Sequence, residues 1–179
     1  IDYERIALAM RGANDGLWDW NLLTDEVYYS PRWKSMLGYE DHEVENNLDS
    51  WKKLVHIDDK ENVLKRVKDY IEDENTDFEI EMRMHHKDGS EIIVLSRAYL
   101  VHRESDKKAI RLIGTHVDIT EIKRTEKFIK NTNEILEMIA VGKKAKEVYD
   151  AIALMYESRH SGIRCSLLEL ENGVLLHGG

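Results

Sequence analysis

Histidines are the side chains of this chain best suited to acid–base catalysis or metal binding. Eight are present, and none has the His-Glu-x-x-His spacing that puts two zinc ligands on one face of a helix. The sequence also contains no glycine-rich phosphate loop and no Gly-x-Ser-x-Gly nucleophile motif. We therefore find no catalytic constellation and predict that the chain is not an enzyme.

Two short clusters could suggest a metal site. His56 stands close to Asp58 and Asp59, but carboxylates at the start of a predicted helix are better explained as caps. Asp58 has Glu61 at capping-box spacing, which predicts the start of this helix. His85 and His86 are neighbours on a predicted strand, so their side chains point to opposite faces and cannot chelate one ion together. We predict no metal site at either place.

Composition narrows the class of partner. The single Cys165 excludes an internal disulfide or a multi-cysteine metal site, and we predict a buried thiol in a short apolar strand. The formal net charge of −9 leaves no basic stripe for nucleic acid. No apolar run approaches the roughly 20 residues that cross a bilayer, so we expect no direct membrane insertion and a cytoplasmic location.

Hydrophobic periodicity predicts the elements that would position any site. Alternating apolar residues predict five strands, at 17–23, 27–30, 78–84, 91–101 and 109–117. Short helices are predicted between the second and third strands, and Asp88-Gly89 is expected to form a two-residue hairpin loop. This order predicts an α+β fold, a five-stranded antiparallel sheet with short helices covering one face.

The last of these strands runs directly into a long charged helix. Asp118 and Glu121 have the spacing of a capping box, which would give this helix a defined start. Seven positions at alternating spacings of three and four then form a heptad seam: Ile119, Ile122, Glu126, Ile129, Asn133, Leu136 and Ala140. The seam predicts a helix that meets its own copy, and the alternative is an amphipathic helix folded back on its own domain.

Seven short motifs in this order resemble the PAS sensor domain with its C-terminal, PAC-type motif. They are Gly16-Leu17-Trp18-Asp19-Trp20, Tyr29-Ser30-Pro31-Arg32-Trp33, Met36-Leu37-Gly38-Tyr39, His56-Ile57-Asp58-Asp59, Lys87-Asp88-Gly89, Leu95-Ser96-Arg97 and Gly114-Thr115-His116-Val117-Asp118-Ile119-Thr120. The resemblance covers residues from about 14 to 123. Two positions depart from the family pattern, where Ile57 replaces a proline and Ile93 replaces a common tryptophan.

The resemblance implies a sensory and dimerisation input module of a larger signalling protein. Its state would be relayed through Asp118, Ile119 and Thr120 into a linker helix that regulates a downstream output domain, a histidine kinase or a diguanylate cyclase. The expected partners are that domain and a second copy of the chain. The dimer seam is expected at Ile122, Ile129, Asn133 and Leu136.

The rest of the chain suggests a second, incomplete domain. A helix at 146–158 followed by strands at 163–170 and 174–177 looks like the opening of a GAF domain. Because the sequence opens without methionine and stops abruptly, we expect a segment of a longer protein. The predicted parts are a flanking helix at 1–13, the PAS-like domain at 14–120, the linker helix at 121–141 and the partial GAF-like segment at 142–179.

Members of the PAS family often hold a ligand between sheet and helices, so the resemblance also raises the question of a cofactor. Residues 57–73 contain no cysteine for a flavin adduct, and residues 59–73 contain no histidine for haem, which disfavours both. Three alternatives stay open: a ligand-free interaction module, a non-covalently bound flavin, and another small molecule. The candidate pocket residues are Trp18, Trp20, Trp33, Phe78 and Met82.

Overall fold

The computed structural model describes residue 12 and residues 15–73, 77–160, 162–171 and 174–177. Apart from Gly12, the flanking helix predicted at 1–13 lies outside the described residues. The chain divides into two compact units, residues 1–120 and residues 121–179.

The first unit is built on a five-stranded sheet in which every pair of neighbouring strands is antiparallel. The strands are β1 (Gly16–Asn21), β2 (Val27–Tyr29), β3 (Phe78–His85), β4 (Glu91–His102) and β5 (Ala109–Asp118). Their spatial order is β2-β1-β5-β4-β3, so β1 and β5, the first and last strands of this sheet along the chain, are neighbours inside it. The predicted α+β class with five antiparallel strands is confirmed.

Three helices and a 3-10 turn at Asp41–Glu43 separate β2 from β3: α1 (Pro31–Met36), α2 (Leu48–Leu54) and α3 (Ile57–Glu72). The first two begin where their sequence signals indicate. Ser30 Oγ accepts from the amide of Trp33, and Asn47 Oδ1 accepts from the amide of Ser50, so each side chain satisfies a backbone donor that the helix leaves free. Apolar residues of these helices pack with the sheet into one core.

Helix α3 starts differently from its prediction. The N-cap is His56, whose Nδ1 accepts from the amide of Asp58 at 3.2 Å. Asp59 instead accepts from the amide and the guanidinium of Arg83 on β3, which joins α3 to the edge of the sheet. These hydrogen bonds hold the pKa of Asp59 below its ordinary value. The predicted capping box of Asp58 and Glu61 is therefore wrong as the start of this helix.

The turn between β3 and β4 is one residue longer than predicted. The amide of His86 donates to the carbonyl of Ser90, and the amide of Gly89 donates to the carbonyl of His86, so three residues form the loop. Gly89 has φ +87°, while Asp88 does not share the positive φ that a two-residue type I′ turn requires at both central positions. Glycine adopts this positive φ at position 89 without strain because it has no Cβ.

The second unit contains most of a long helix, a second helix and a hairpin. They are α4 (Thr120–Ala140), α5 (Ala145–Arg159), β6 (Leu168–Glu171) and β7 (Val174–His177). Helix α4 begins at the last residue of the first unit. Cys165 precedes β6 and is partly exposed, with its amide donating to Glu157, so the prediction of a buried strand thiol is wrong. None of the described helices is both long and apolar enough to cross a membrane.

Candidate functional site

A small cavity of about 50 Å³ lies between the sheet and helices α2 and α3. At about 30 Å³ for one water in the liquid, this volume has room for one or two water molecules. All five strands and both helices contribute to its wall. Four of the five candidate residues line it, namely Trp18, Trp20, Phe78 and Met82, whereas Trp33 does not.

Trp33 acts on the cavity indirectly, through a histidine that sequence reasoning did not select. The Trp33 side chain is completely buried, and its indole Nε1–H donates to His116 Nδ1 at 2.8 Å. His116 lines the cavity from β5. The available signal was the two-residue period of the strand: His116 shares with Leu112 and Gly114 the face of β5 that the structure buries.

The hydrogen bond from Trp33 sets the tautomer of the His116 ring, and burial sets its charge. Because Nδ1 accepts, the neutral ring carries its proton on Nε2. Burial lowers the pKa of His116 to about 3, since the interior cannot solvate an imidazolium cation. The cavity therefore presents a neutral imidazole at physiological pH.

Trp18 lines the cavity with its ring and carries a second buried polar group. Its side chain is 8% exposed, and its Nε1 is buried with no hydrogen-bond partner among the described residues. The indole lies over Gly114, where an added Cβ would come within 2.5 Å of the ring and 2.2 Å of the Arg97 carbonyl oxygen. An unsatisfied buried donor of this kind costs about 1–3 kcal/mol.

The cavity does not fit a flavin. Ligand pockets for molecules of cofactor size span about 300–1,000 Å³, and this cavity is about 50 Å³. The residues that line it include no lysine or arginine for a phosphate group. Within the described part of the chain, no three histidine, cysteine, aspartate or glutamate side chains are grouped to hold a metal ion.

The three predicted relay residues meet at the end of the sheet. Asp118 Oδ1 accepts from both the amide and the hydroxyl of Thr120, at 2.9 and 2.5 Å. Thr120 Oγ1 in turn accepts from the amide of Ile93 on β4, whose carbonyl accepts from the amide of Ile119. Ile119 and Thr120 are both buried. The start of α4 is thus hydrogen-bonded to two neighbouring strands.

The capping box predicted at this place does not form. Helix α4 starts at Thr120, so Asp118 stands too early to be the N-cap, and it satisfies the amide of Thr120 through a short side-chain turn. The carboxylate of Glu121 binds the guanidinium of Arg124 on the helix surface instead of reaching back. Both carboxylates therefore have partners other than the predicted ones.

The predicted seam residues lie along an open face of α4. Ile122, Ile129 and Leu136 are each more than half exposed, at 55%, 54% and 57%. Ile135, which lies about 120° around the helix from Ile129 at 100° per residue, is only 8% exposed. On that covered side, Thr132 of α4 contacts Met155 of α5.

The neutral state of His116 predicts an acid-sensitive stability. The pKa of a histidine is about 6.5 in the unfolded chain and about 3 in the folded one. Between these two pH values the unfolded state binds a proton on His116 that the folded state does not bind. The free energy of unfolding therefore falls as the pH drops from 6.5 towards 3. His116→Gln should lose less stability than the parent between pH 7 and pH 5, as measured by urea unfolding. The exposed His42→Gln is the control, and an equal loss in all three proteins would contradict this account.

A five-stranded antiparallel sheet with helices enclosing a cavity on one face defines an α+β domain of the sheet-and-helix type. The model of the family described as "PAS fold" matches residues 26–116, about half of the chain. This protein belongs to the PAS fold family.

Solved and curated proteins agree with this assignment. A sensory box histidine kinase/response regulator from Burkholderia thailandensis is 33% identical, with a TM-score of 0.63 over 74% of this chain and 98% of that one. A methyl sulfide methyltransferase-associated sensor from Methanosarcina acetivorans is 29% identical over 80% of this chain. A probable diguanylate cyclase from Escherichia coli is 25% identical over 75%. The chain spans 14% and 12% of the lengths of these last two proteins, so it corresponds to a sensory input module of such proteins.

Proposed function

We propose that this sensory module relays its state through Asp118, Ile119 and Thr120 into α4, and that α4 regulates an output domain further along the same protein. The observation that carries the proposal is the hydrogen-bonded junction at Thr120, because one hydroxyl joins β4, the end of β5 and the first turn of the helix. A change at either strand would alter this hydroxyl's geometry. It would therefore bias the start of α4.

The register of the sheet supports a mechanical path from the cavity. His116 pairs with Ser96 across β5 and β4, and both line the cavity. Asp118 pairs with Val94 two residues further along the same strands. Because strands resist stretching, displacement of the cavity wall at His116 would reach Asp118 within the same segment of β5.

We further propose that the chain forms a parallel homodimer through the seam of α4. Exposed apolar residues at heptad spacing have the pattern of a coiled-coil interface. Asn133 would specify the register, since paired amides satisfy each other only when aligned, and Glu126 would oppose its copy and weaken the seam. A seam of marginal stability suits a switch, because only a small free-energy gap can be biased by a signal.

The output domain is proposed from the relatives. Two of them carry the names of a histidine kinase and a diguanylate cyclase, and either enzyme would work in the cytoplasm. The order helix-hairpin in residues 142–179 supports the start of a GAF-like domain after the linker helix. The strand-to-helix junction that ends the first unit supports a PAC-type motif there.

A second candidate function is small-molecule sensing at the cavity. It is favoured by the cavity between the sheet and the helices, whose wall is formed mostly by apolar and aromatic side chains. This candidate is compatible with the relay, since the ligand would be the source of the signal.

Substituting Thr120 tests the relay. Thr120→Val keeps the shape of the side chain but removes the acceptor for the Ile93 amide, at a cost of about 1–3 kcal/mol to the junction. In the protein that carries the output domain, we expect its kinase or cyclase activity to lose its dependence on the signal. Thr125→Val, an exposed position on the same helix, is the matched control. Normal regulation in Thr120→Val would refute the relay.

A further inference from the structure

We propose that the groove between α4 and α5 binds a single-chain amphiphilic anion, which places its charged head at one end of the groove and its apolar chain along the rest. The site belongs to the second unit and is separate from the cavity of the first. It requires neither the relay at Thr120 nor the dimer. A cluster of cations, an aromatic ring beside one of them and an apolar groove that continues from the cluster support it.

The groove runs between the two helices of the second unit and has a volume of about 240 Å³. The residues of each wall recur at spacings of three or four positions, so they share one side of their helix. The α4 wall contains Lys127, Asn131, Glu134 and Met138. The α5 wall contains Ala151, Leu154, Met155 and Ser158. The α4 wall rises about 17 Å along the helix axis, so the groove is long enough for an extended alkyl chain.

Apolar side chains form most of the surface of the groove away from its cationic end. Met138 and Met155 are partly buried along it, and Leu154 is 65% exposed at its edge. An alkyl chain in the groove would cover these side chains, and removing apolar surface from water favours binding. The carboxylate of Glu134, which also lines the groove, has a counter-charge 3.9 Å away in the ammonium of Lys130.

The end of the groove nearest the start of α4 is cationic. A smaller pocket of about 60 Å³ opens there and shares four lining residues with the groove, so the two are continuous. Arg124, Lys127 and Arg159 line this pocket, and no aspartate or glutamate is among its lining residues. Arg124 pairs with Glu121, whereas Lys127 and Arg159 have no acidic partner within the described part of the chain. In a chain with a formal net charge of −9, an anion bound here would relieve the repulsion between these cations.

Phe128 holds the guanidinium of Arg159 at this end of the groove, with Cζ of the arginine 4.8 Å from the ring centroid. A cation–π contact of this kind uses the charge of the guanidinium and none of its N–H donors. Those donors can therefore bind both oxygens of a carboxylate at once. Lys127 adds a compact positive charge and Asn131 an amide donor. The head of the ligand is thus expected to be an oxyanion.

The groove and the proposed dimer seam lie on opposite sides of α4. At 100° per residue, Asn131 stands about 160° around the helix from the seam residue Asn133. A second copy bound at the seam would therefore leave the groove open. An amphiphile in the groove would contact α4 and α5 together and stabilise this pair of helices, which would make it a second input to α4.

Three probes separate the head of the ligand from its chain. Octanoate carries both, octan-1-ol has the chain with an uncharged head, and acetate has the charged head alone. Binding would be followed on the complete chain by the ¹H–¹³C methyl resonances of its methionines, assigned by replacing each methionine in turn with leucine. Met138 and Met155 report on the groove, whereas Met82, which lines the cavity of the first unit, reports on that cavity.

We expect octanoate to shift the Met138 and Met155 methyl resonances with one common dissociation constant. It should bind about tenfold more tightly than octan-1-ol, because its charged head pairs with Lys127 and Arg159. Acetate should give no saturable shift at either methyl, since it has no chain to bury. A shift confined to Met82, or octan-1-ol bound as tightly as octanoate, would overturn the proposal.

Two variants test the cations, and a third is their matched control. Arg159→Gln and Lys127→Gln should each bind octanoate about tenfold more weakly and leave the binding of octan-1-ol unchanged, since each removes only a partner of the head. Arg164→Gln loses the same charge from the same unit, but its side chain is 93% exposed and lies outside the groove, so octanoate binding should not change. Equal affinities for octanoate in all three variants would show that the cluster does not hold the head.

Two other occupants of the groove would give different results. A second copy of the chain would shift the Met138 and Met155 methyl resonances on dilution without any ligand, and a bilayer surface would draw the chain onto phosphatidylglycerol vesicles. We expect both methyl resonances to keep their positions on dilution and the chain to stay in solution beside the vesicles. A dilution shift of both methyls, or vesicle binding that Arg159→Gln abolishes, would assign the groove to that occupant and overturn the proposal.

Discussion

Replacing Ile129 with aspartate is expected to convert the proposed homodimer into monomers. Ile129 lies in the middle of the seam and is 54% exposed in the single chain, so its side chain is available to a partner helix. In a parallel coiled coil the same residue of both chains would meet, and two carboxylates would be buried opposite each other. Unpaired buried charge of this kind costs several kcal/mol, which corresponds to at least a hundredfold weaker dimer.

A matched control separates the seam from a general effect of charge. Leu154 on α5 is also an apolar residue on an exposed helix surface, at 65%, but lies outside the seam. Leu154→Asp should leave the dimer constant unchanged when both variants are compared by sedimentation equilibrium. Asn133→Leu should strengthen the dimer while relaxing its register. If Ile129→Asp associates as tightly as the parent, the seam is not the interface.

Replacing Trp33 with phenylalanine is expected to destabilise the first unit by about 2–4 kcal/mol. The substitution removes the indole donor and leaves His116 Nδ1 as a buried acceptor without its partner, which costs about 1–3 kcal/mol. It also removes volume at a fully buried position and weakens the stacking of Trp33 on Tyr29, whose rings are 4.2 Å apart. Urea unfolding monitored by circular dichroism would measure the change.

Trp20→Phe is the control for this prediction. It makes the same chemical change, and the lost indole hydrogen bond to Asp25 has a similar length of 2.8 Å, but that bond is exposed to solvent. Water can replace the lost partner there, so we expect a loss below about 1 kcal/mol. Equal losses of unfolding free energy in the two variants would show that the buried Trp33–His116 hydrogen bond stabilises the protein no more than the exposed Trp20–Asp25 bond.

Local signals in the sequence were sufficient to predict most of the helices and strands of the first unit. The alternation in β3, β4 and β5 depends on which face of a strand is buried, and Ser30 and Asn47 act on amides only three residues away. The capping box predicted at Asp118 failed through the local partners Thr120 and Arg124, whereas the capping role predicted for Asp59 failed because a distant partner competed for its side chain. Asp59 binds Arg83, 24 positions along the chain, and so contributes to a tertiary contact that helix-capping rules do not contain.

The candidate site was predicted in part for the same reason. Four of the aromatic and methionine residues chosen for the pocket do line it, because large apolar residues on the buried face of a sheet point towards the helices that cover that face. The pairing of Trp33 with His116 joins residues 83 positions apart, and no local pattern encodes it. The volume of the cavity follows from the packing of all five strands and two helices, which a sequence does not display.

The most direct test of the account is the dimer constant of Thr120→Val, measured on this chain by sedimentation equilibrium beside Thr125→Val. Thr120 is buried at the junction and is not a seam residue, so it can affect association only through the start of α4. We predict that Thr120→Val shifts the dimer constant at least fivefold while Thr125→Val leaves it unchanged. A dimer constant equal to that of the parent in both variants would contradict the coupling of sensor and helix.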